Sequence, residues 1–292
     1  MMLRLAILIH LVALSSSLIA RNNAATRRRF ELGAIAPFGV YIESTDAFGM
    51  MFYTNFPILV ERALVAESGT SSGMLTSFKE MKFRNPARLG DTLTLTCSNA
   101  KVTCSNQKGD DVFVATKAAL GVRGVGHLKD IELDKELTAV QKMVRFKLWP
   151  DELSESSRSE EFPDDFTSGS GLFVPTRTIF NLFERGRTEA LGGPHMLAEA
   201  QASKTHVYVA RINDFSATLG VVLDPRSSEV YVVSNIKPVG LSIVEFSQAI
   251  VCARSEAVVA RAKITCVAVN SDTGDIASFN PEMSKALGIW QG

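Results

Sequence analysis

Asp46 and the residues just after it carry the pattern in this chain that could do chemistry. Val40 to Thr45 are strand-type residues, and Asp46 and Gly49 interrupt them. From about Thr54, Phe56, Leu59, Val60, Ala63 and Leu64 recur at helical spacing. Thr54 or Asn55 can cap that helix, Pro57 fits its first turn, and Gly69 can end it. A carboxylate thus sits just ahead of a helix N-terminus, whose first amides have no partner within the helix. Such amides can hold an oxygen that gains negative charge. Asp46 is then a nucleophile or a general base on the carbon bearing that oxygen, and the pairing points to acyl chemistry. The structural alternative for Asp46 is a turn or capping residue.

The run Ser44-Thr45-Asp46-Ala47-Phe48-Gly49, with Tyr53, Asn55, Phe56 and Glu61-Arg62-Ala63, resembles the signature of the 4-hydroxybenzoyl-CoA thioesterase family of hotdog proteins. A second stretch, Phe83-Arg84-Asn85-Pro86-Ala87-Arg88-Leu89-Gly90-Asp91-Thr92-Leu93, is similar to the family's Pro-Ala-Arg-Leu-Gly-Asp segment. The resemblance implies an α+β fold in which an antiparallel sheet wraps a central helix, and an activity on acyl thioesters. It implies that Asp46 is catalytic and that the Tyr53 backbone N–H polarises the thioester carbonyl, with Gly49 allowing close backbone approach. Asn55, Phe56, Glu61, Arg84 and Arg88 become candidate substrate-binding residues, and Lys82 joins the two arginines near the mouth of the site. Asn55 reads equally as a cap, and the arginines as solvated surface. Glu61 is the rival base, because another hotdog clade uses a helix carboxylate; its repetition as Glu184 in the second half favours a structural role.

The chain has 292 residues, 46% of them hydrophobic, enough for a sizeable core. Basic and acidic residues balance at 31 each, and no Lys/Arg cluster beyond the N-terminus resembles a nucleic-acid face. Cys97, Cys104, Cys252 and Cys266 lack metal-ligand spacing and read as buried thiols, with Cys97 and Cys104 along one extended strand. No metal or redox cofactor is implied. Residues 1–20 hold Arg4, the apolar run Leu5 to Leu14 and a Ser/Ala-rich end, and resemble a secretory signal. Residues 21–35 continue as a basic stretch with no acid before Glu31. Together they suggest targeting to a plastid through the secretory route, to a mitochondrion, or to the secretory pathway itself. The apolar run is short for a membrane span.

Two repeats follow, at 36–130 and 138–284, joined near Asp130 to Ala139. In the first, Leu75 to Arg84, Asp91 to Cys104 and Val112 to Val122 read as strands around the helix, with a turn at Asn106 to Asp111. In the second, Met143 to Trp149 reads as a strand and Phe183 to Gly192 matches the family's helix. Ile58 to Leu64 echoes Asn181 to Arg187, Pro86 to Leu89 echoes Pro238 to Leu241, and Val114 to Lys117 echoes Val259 to Arg261. The chain therefore reads as two tandem hotdogs packed as an intramolecular pseudo-dimer, each covering the other's strand edge. Aligning Glu184 with Glu61 sets Gly169 against Asp46 and Thr176 against Tyr53. Asp151, the nearest acid in the second half, is cut off from its helix by the polar stretch Glu152 to Gly171. One catalytic site per chain is expected.

The leading reading is a thioesterase for acyl-CoA or acyl-carrier-protein thioesters. The rivals are a non-catalytic acyl-binding or scaffold protein, a carrier-linked thioesterase of polyketide or fatty-acid synthesis, and an aromatic acyl-CoA thioesterase of a plastid. No histidine lies between Asp46 and Glu67, which argues against dehydratase chemistry, and no nucleophile elbow is present. Association of chains through outer sheet surfaces is left open.

Overall fold

The computed structural model describes residues 34–42, 45, 49–70, 73–121, 142–148, 152–153, 174–218 and 229–288. Asp46, Asp151, Gly169, the junction at Asp130 to Ala139 and residues 1–33 lie outside the described residues, whereas Ala34 and Ile35, counted above with the basic N-terminal segment, already belong to the first strand.

Among the described residues, eleven strands form one antiparallel sheet. The first half supplies β1 (Ala34–Gly39), β2 (Met74–Phe83), β3 (Thr92–Ser98), β4 (Lys101–Ser105), β5 (Asp111–Thr116) and β6 (Ala119–Gly121). The second supplies β7 (Lys142–Lys147), β8 (Thr205–Ala217), β9 (Glu229–Pro238), β10 (Ile243–Cys252) and β11 (Val258–Asn270). Their spatial order is β1-β3-β4-β5-β2-β8-β11-β10-β9-β7, with β6 paired to β2. The order reads the same from either end once β7 to β11 are matched to β1 to β5. The centre is the β2–β8 pair, where Phe78 lies opposite Phe215 and Met81 opposite Ile212. Each half thus closes the other's open ladder, so neither leaves its central strand edge unpaired.

Helices α1 (Phe56–Ser68) and α2 (Thr176–Ala190) lie against this sheet and touch each other. Helix α1 buries Phe56, Leu59, Val60, Ala63 and Leu64, the residues whose spacing predicts it. Gly69 ends it in the left-handed conformation at φ 66°, its N–H donating to the Val65 carbonyl at 3.1 Å. The seam under the helices is aromatic: Phe215 has ring centroids 4.9 Å from Phe78 and 4.8 Å from Phe180. Two further helices, α3 (Pro194–Ala202) and α4 (Pro281–Ala286), belong to the second half.

Several local expectations need correction. The strand lies at Ala34–Gly39, ahead of Val40 to Thr45; the backbone of Val40 instead exchanges bonds with Gly90 and Asp91. Asn55 occupies the N-cap position of α1, as expected, but its side chain makes no capping hydrogen bond; the helix is entered through a 3-10 turn at Tyr53–Asn55. Asp91 to Cys104 is a hairpin, not one strand: Asn99 and Ala100 have φ of 51° and 60° and turn the chain. Asn tolerates that conformation, but the Asn-Gly pair that advertises such a turn is absent. Cys97 and Cys104 therefore lie on neighbouring strands, opposite Val102 and Leu95, and all four cysteines are free and buried. Val112 to Val122 is broken at Lys117, φ 51°, into β5 and β6. The echo of Pro86 to Leu89 in Pro238 to Leu241 is not spatial, since the first joins β2 to β3 and the second joins β9 to β10. Helix α3, between α2 and β8, is an element that the spacing does not reveal.

Candidate active site

The two stretches that carry the resemblance meet in space. Leu89 N–H donates to the Gly49 carbonyl at 2.7 Å and Met51 N–H to the Ala87 carbonyl at 2.8 Å, while Met50 bridges Arg88 and Thr45 bridges Met51. Asp91 fixes the gripping loop, since one carboxylate oxygen accepts the Arg88 N–H at 2.7 Å. Gly49 has φ 68°, a left-handed conformation that favours glycine. Thr45 and Gly49, on either side of Asp46, are thus both held. Asp46 itself lies outside the described residues.

Tyr53 begins the turn that leads into α1, and its side chain crosses to the second half. Its hydroxyl donates to the Phe180 carbonyl at 3.2 Å and accepts from Arg187 Nη2 at 2.5 Å. The Arg187 guanidinium also sits 5.0 Å from the Tyr53 ring centroid, and Phe83 meets that ring edge-on at 6.5 Å. Arg187 is 3% exposed. It bonds Glu184 one turn earlier and donates from Nη1 to Gln248 Oε1 at 3.1 Å; Gln248 in turn donates to Ser234 Oγ at 3.0 Å. A polar chain therefore runs from β9 through β10 and α2 to the start of α1. Burial pushes the Tyr53 phenol well above its ordinary value, against the pull of Arg187, so Tyr53 is neutral and able to donate. Burial works against the Arg187 charge, yet the net shift is upward because Tyr53 and Glu184 hold it. Burial also pushes the neighbouring Cys266 thiol up to about 11.

Glu61 forms the mirror contact. Its Oε2 accepts the Leu75 N–H at 2.8 Å and the hydroxyl of Thr176, the first residue of α2. Burial raises its carboxyl above the ordinary value, although Thr176, the Leu75 N–H and Arg62 pull the other way. Under the alignment of Glu61 with Glu184, Tyr53 corresponds to Thr176 and Leu64 to Arg187. A helix carboxylate meets a hydroxyl at the other helix's start in both places, directly as Glu61–Thr176 and through Arg187 as Glu184–Tyr53.

The other candidates divide. Asn55 lies in the turn beside Tyr53. Arg84 and Arg88 are exposed, one just past β2 and one on the loop that grips Gly49. Lys82, on β2, pairs with Glu80 at 3.2 Å. Phe56 is a core residue rather than an open contact surface: it is 4% exposed and packs on Phe83 and Phe113, each 5.4 Å between centroids. Among the described residues, no group of three His, Cys, Asp or Glu could hold a metal ion, and no helix is long and apolar enough to cross a membrane. Thr176, Arg187 and Gln248 were not anticipated. Arg187 could have been found as a charge on the buried stripe of α2, between Phe183 and Ala190.

An antiparallel sheet wrapped on central helices is the hotdog architecture, and comparison with solved structures gives the same fold. A protein described as an oleoyl thioesterase of Lactobacillus plantarum superposes with a TM-score of 0.51 at 8% identity, covering 82% of this chain and 97% of its own. The 12:0-ACP thioesterase of Umbellularia californica superposes at 0.50 with 7% identity, covering 80% and 97%. No family model matches the sequence, and no curated protein matches it. The likeness is one of fold.

Proposed function

We propose that the chain is an acyl-thioester hydrolase made of two tandem hotdog units paired within one polypeptide. The observation that carries this is the mirror order of the sheet about β2–β8, with the start of α1 held against α2 of the other half. That arrangement holds Tyr53, at the entry to α1, against the second half, and in our reading the thioester is gripped beside it from both units. Asp46 takes a proton from water as that water attacks the carbonyl carbon; the C–S bond breaks, and the thiolate leaves and is protonated. Alternatively, Asp46 attacks that carbon itself, the thiolate leaves, and water then opens the resulting anhydride to the free acid and Asp46. The amide at Tyr53 receives the developing oxyanion, a contribution of roughly 3 kcal/mol for one such donor. Arg84 and Arg88, exposed on adjoining segments, suit the phosphates of a CoA or carrier-bound pantetheine arm. The two solved thioesterases of this fold support the reaction class.

Glu61 supports a second assignment of the base within the same function. It is a half-buried carboxylate between the halves, and burial raises its pKa above the ordinary value. Its two hydrogen bonds explain it as a clasp just as well, so Asp46 is preferred.

The experiment is hydrolysis by the purified protein across acyl-CoAs of varied length and aromaticity, read as free thiol, with the same acyl groups on acyl-carrier protein. Turnover on part of the panel supports the proposal. Binding of acyl-CoA with no hydrolysis anywhere replaces it with the acyl-binding or scaffold reading.

A further inference from the structure

We infer that Arg187 is a positioning residue: through the Tyr53 hydroxyl it fixes the turn that opens α1, so that the second half serves the catalytic half by holding its oxyanion-binding backbone in place. The inference rests on the thioesterase reading above.

Packing alone does not explain this residue. The mirror position is Leu64, which is buried and apolar and fills its place against the sheet without any charge. A buried guanidinium is costly unless its partners are well placed. Arg187 has them on three sides: Glu184 on its own helix, Gln248 on β10 and Tyr53 from the other half. Gln248, itself 0% exposed, is anchored by Ser234. The planar fork can reach these partners at once, which a lysine cannot. Tyr53 is then gripped by the Arg187 bond to its hydroxyl, by the Phe180 carbonyl that accepts the hydroxyl's hydrogen bond, and by Phe83 at its ring edge. Tyr53 is also the first residue of the 3-10 turn, so fixing its side chain fixes the direction of its own backbone N–H, the proposed oxyanion donor, at the entry to α1. Glu184, the mirror of Glu61, is meanwhile tied up by the same guanidinium and is removed as a competing base.

The test compares Tyr53→Phe, Arg187→Lys and the double variant by steady-state hydrolysis and by amide hydrogen exchange of the peptide covering residues 49–60. Tyr53→Phe removes one hydroxyl and keeps the ring, so it decides the matter even where Arg187→Lys fails to fold. The expected result is a kcat lower by roughly 10-fold to 100-fold per folded molecule, with KM changed by no more than a few-fold. Exchange in 49–60 becomes faster while β10 stays protected. The double variant is no worse than the more damaged single variant, because both cut one linkage. Unchanged exchange in 49–60, or single effects that multiply in the double variant, overturns the inference. A fall in thermal stability with kcat intact also overturns it, since that is what a structural role alone produces. The exchange reading separates the two claims: faster exchange in a protein that hydrolyses no thioester leaves the positioning role standing and removes the thioesterase reading.

Discussion

Replacing Gly186 with alanine should destabilise the protein although alanine is the better helix former. Gly186 lies within α2, one residue before Arg187, on the side of the helix that faces Val232 of β9 and Gln248 of β10. A Cβ placed there would stand 2.5 Å from Val232 Cγ1, and 3.1 Å from both Val232 Cβ and Gln248 Nε2. Carbon atoms rest at about 3.5–4.0 Å, so helix and strand must part by about 1 Å or Val232 must leave its rotamer. Val232 is fully buried and branched at Cβ, which restricts that escape. Overpacking of this kind costs about 1–3 kcal/mol, and the helix preference for alanine returns about 1 kcal/mol. A contact as short as 2.5 Å puts the overpacking cost in the upper part of that range, about 2–3 kcal/mol, so the net loss should be about 1–2 kcal/mol, a fall in Tm of roughly 2–6 °C for a chain of this size. The assay is thermal and urea denaturation of the wild type, Gly186→Ala, Val232→Ala and the double variant. Shortening Val232 relieves the clash, so the double variant should be more stable than the sum of the singles by about 1 kcal/mol or more. A Gly186→Ala protein as stable as the wild type would refute the reasoning, because the gap between helix and sheet would then be wide enough for a methyl group.

The remaining expectations concern a clasp, a seam and a terminus. Burial raises the Glu61 carboxyl, so the stability this group contributes is present at low pH and lost as pH rises through its folded value. Glu61→Gln has no such loss, and its Tm relative to wild type should improve as pH rises above the ordinary carboxylate range of about 4; a Tm gap moving the other way contradicts the burial account. Phe215→Ala, at the centre of the seam, should cost about 3–5 kcal/mol in urea denaturation, and a loss under about 1 kcal/mol would show that the ring is not packed between Phe78 and Phe180. A chain cut near Asp130 should leave β2 without its partner and yield an inactive, association-prone first half; a soluble, fully active half would remove the paired-unit proposal. Mass spectrometry should find the mature N-terminus beyond Ala20, and an intact Met1 would remove the targeting proposal.

Helix α1 was legible because its apolar spacing, its early proline and its terminal glycine all agree. The grip of Ala87 to Asp91 on Val40 and Gly49 was visible as two motifs, though the backbone bonds that join them were not. Harder features were those where tertiary contacts override local signals. The Asn99–Ala100 turn lacks the glycine that marks most such hairpins, so its two strands read as one. Pro238 to Leu241 copied the letters of Pro86 to Leu89 in a different connection, because a proline and a leucine around a turn suit many loops. The cross-half contacts were hidden for another reason. Tyr53 with Arg187, and Glu61 with Thr176, are far apart in the chain, and only the repeat alignment brings their positions into register. Once it does, Arg187 stands out as a charge where the first half has Leu64.

The central claim, hydrolysis of a thioester with Asp46 as base or nucleophile, is tested most directly by the turnover number of Asp46→Asn beside that of Glu61→Gln, on the best acyl-CoA substrate, with folding checked by thermal denaturation. The predicted result is a loss on the order of 10²-fold or more for Asp46→Asn and a change of only a few-fold for Glu61→Gln. A folded Asp46→Asn protein that turns over like the wild type, while Glu61→Gln is inactive, would contradict the account and move the base onto α1.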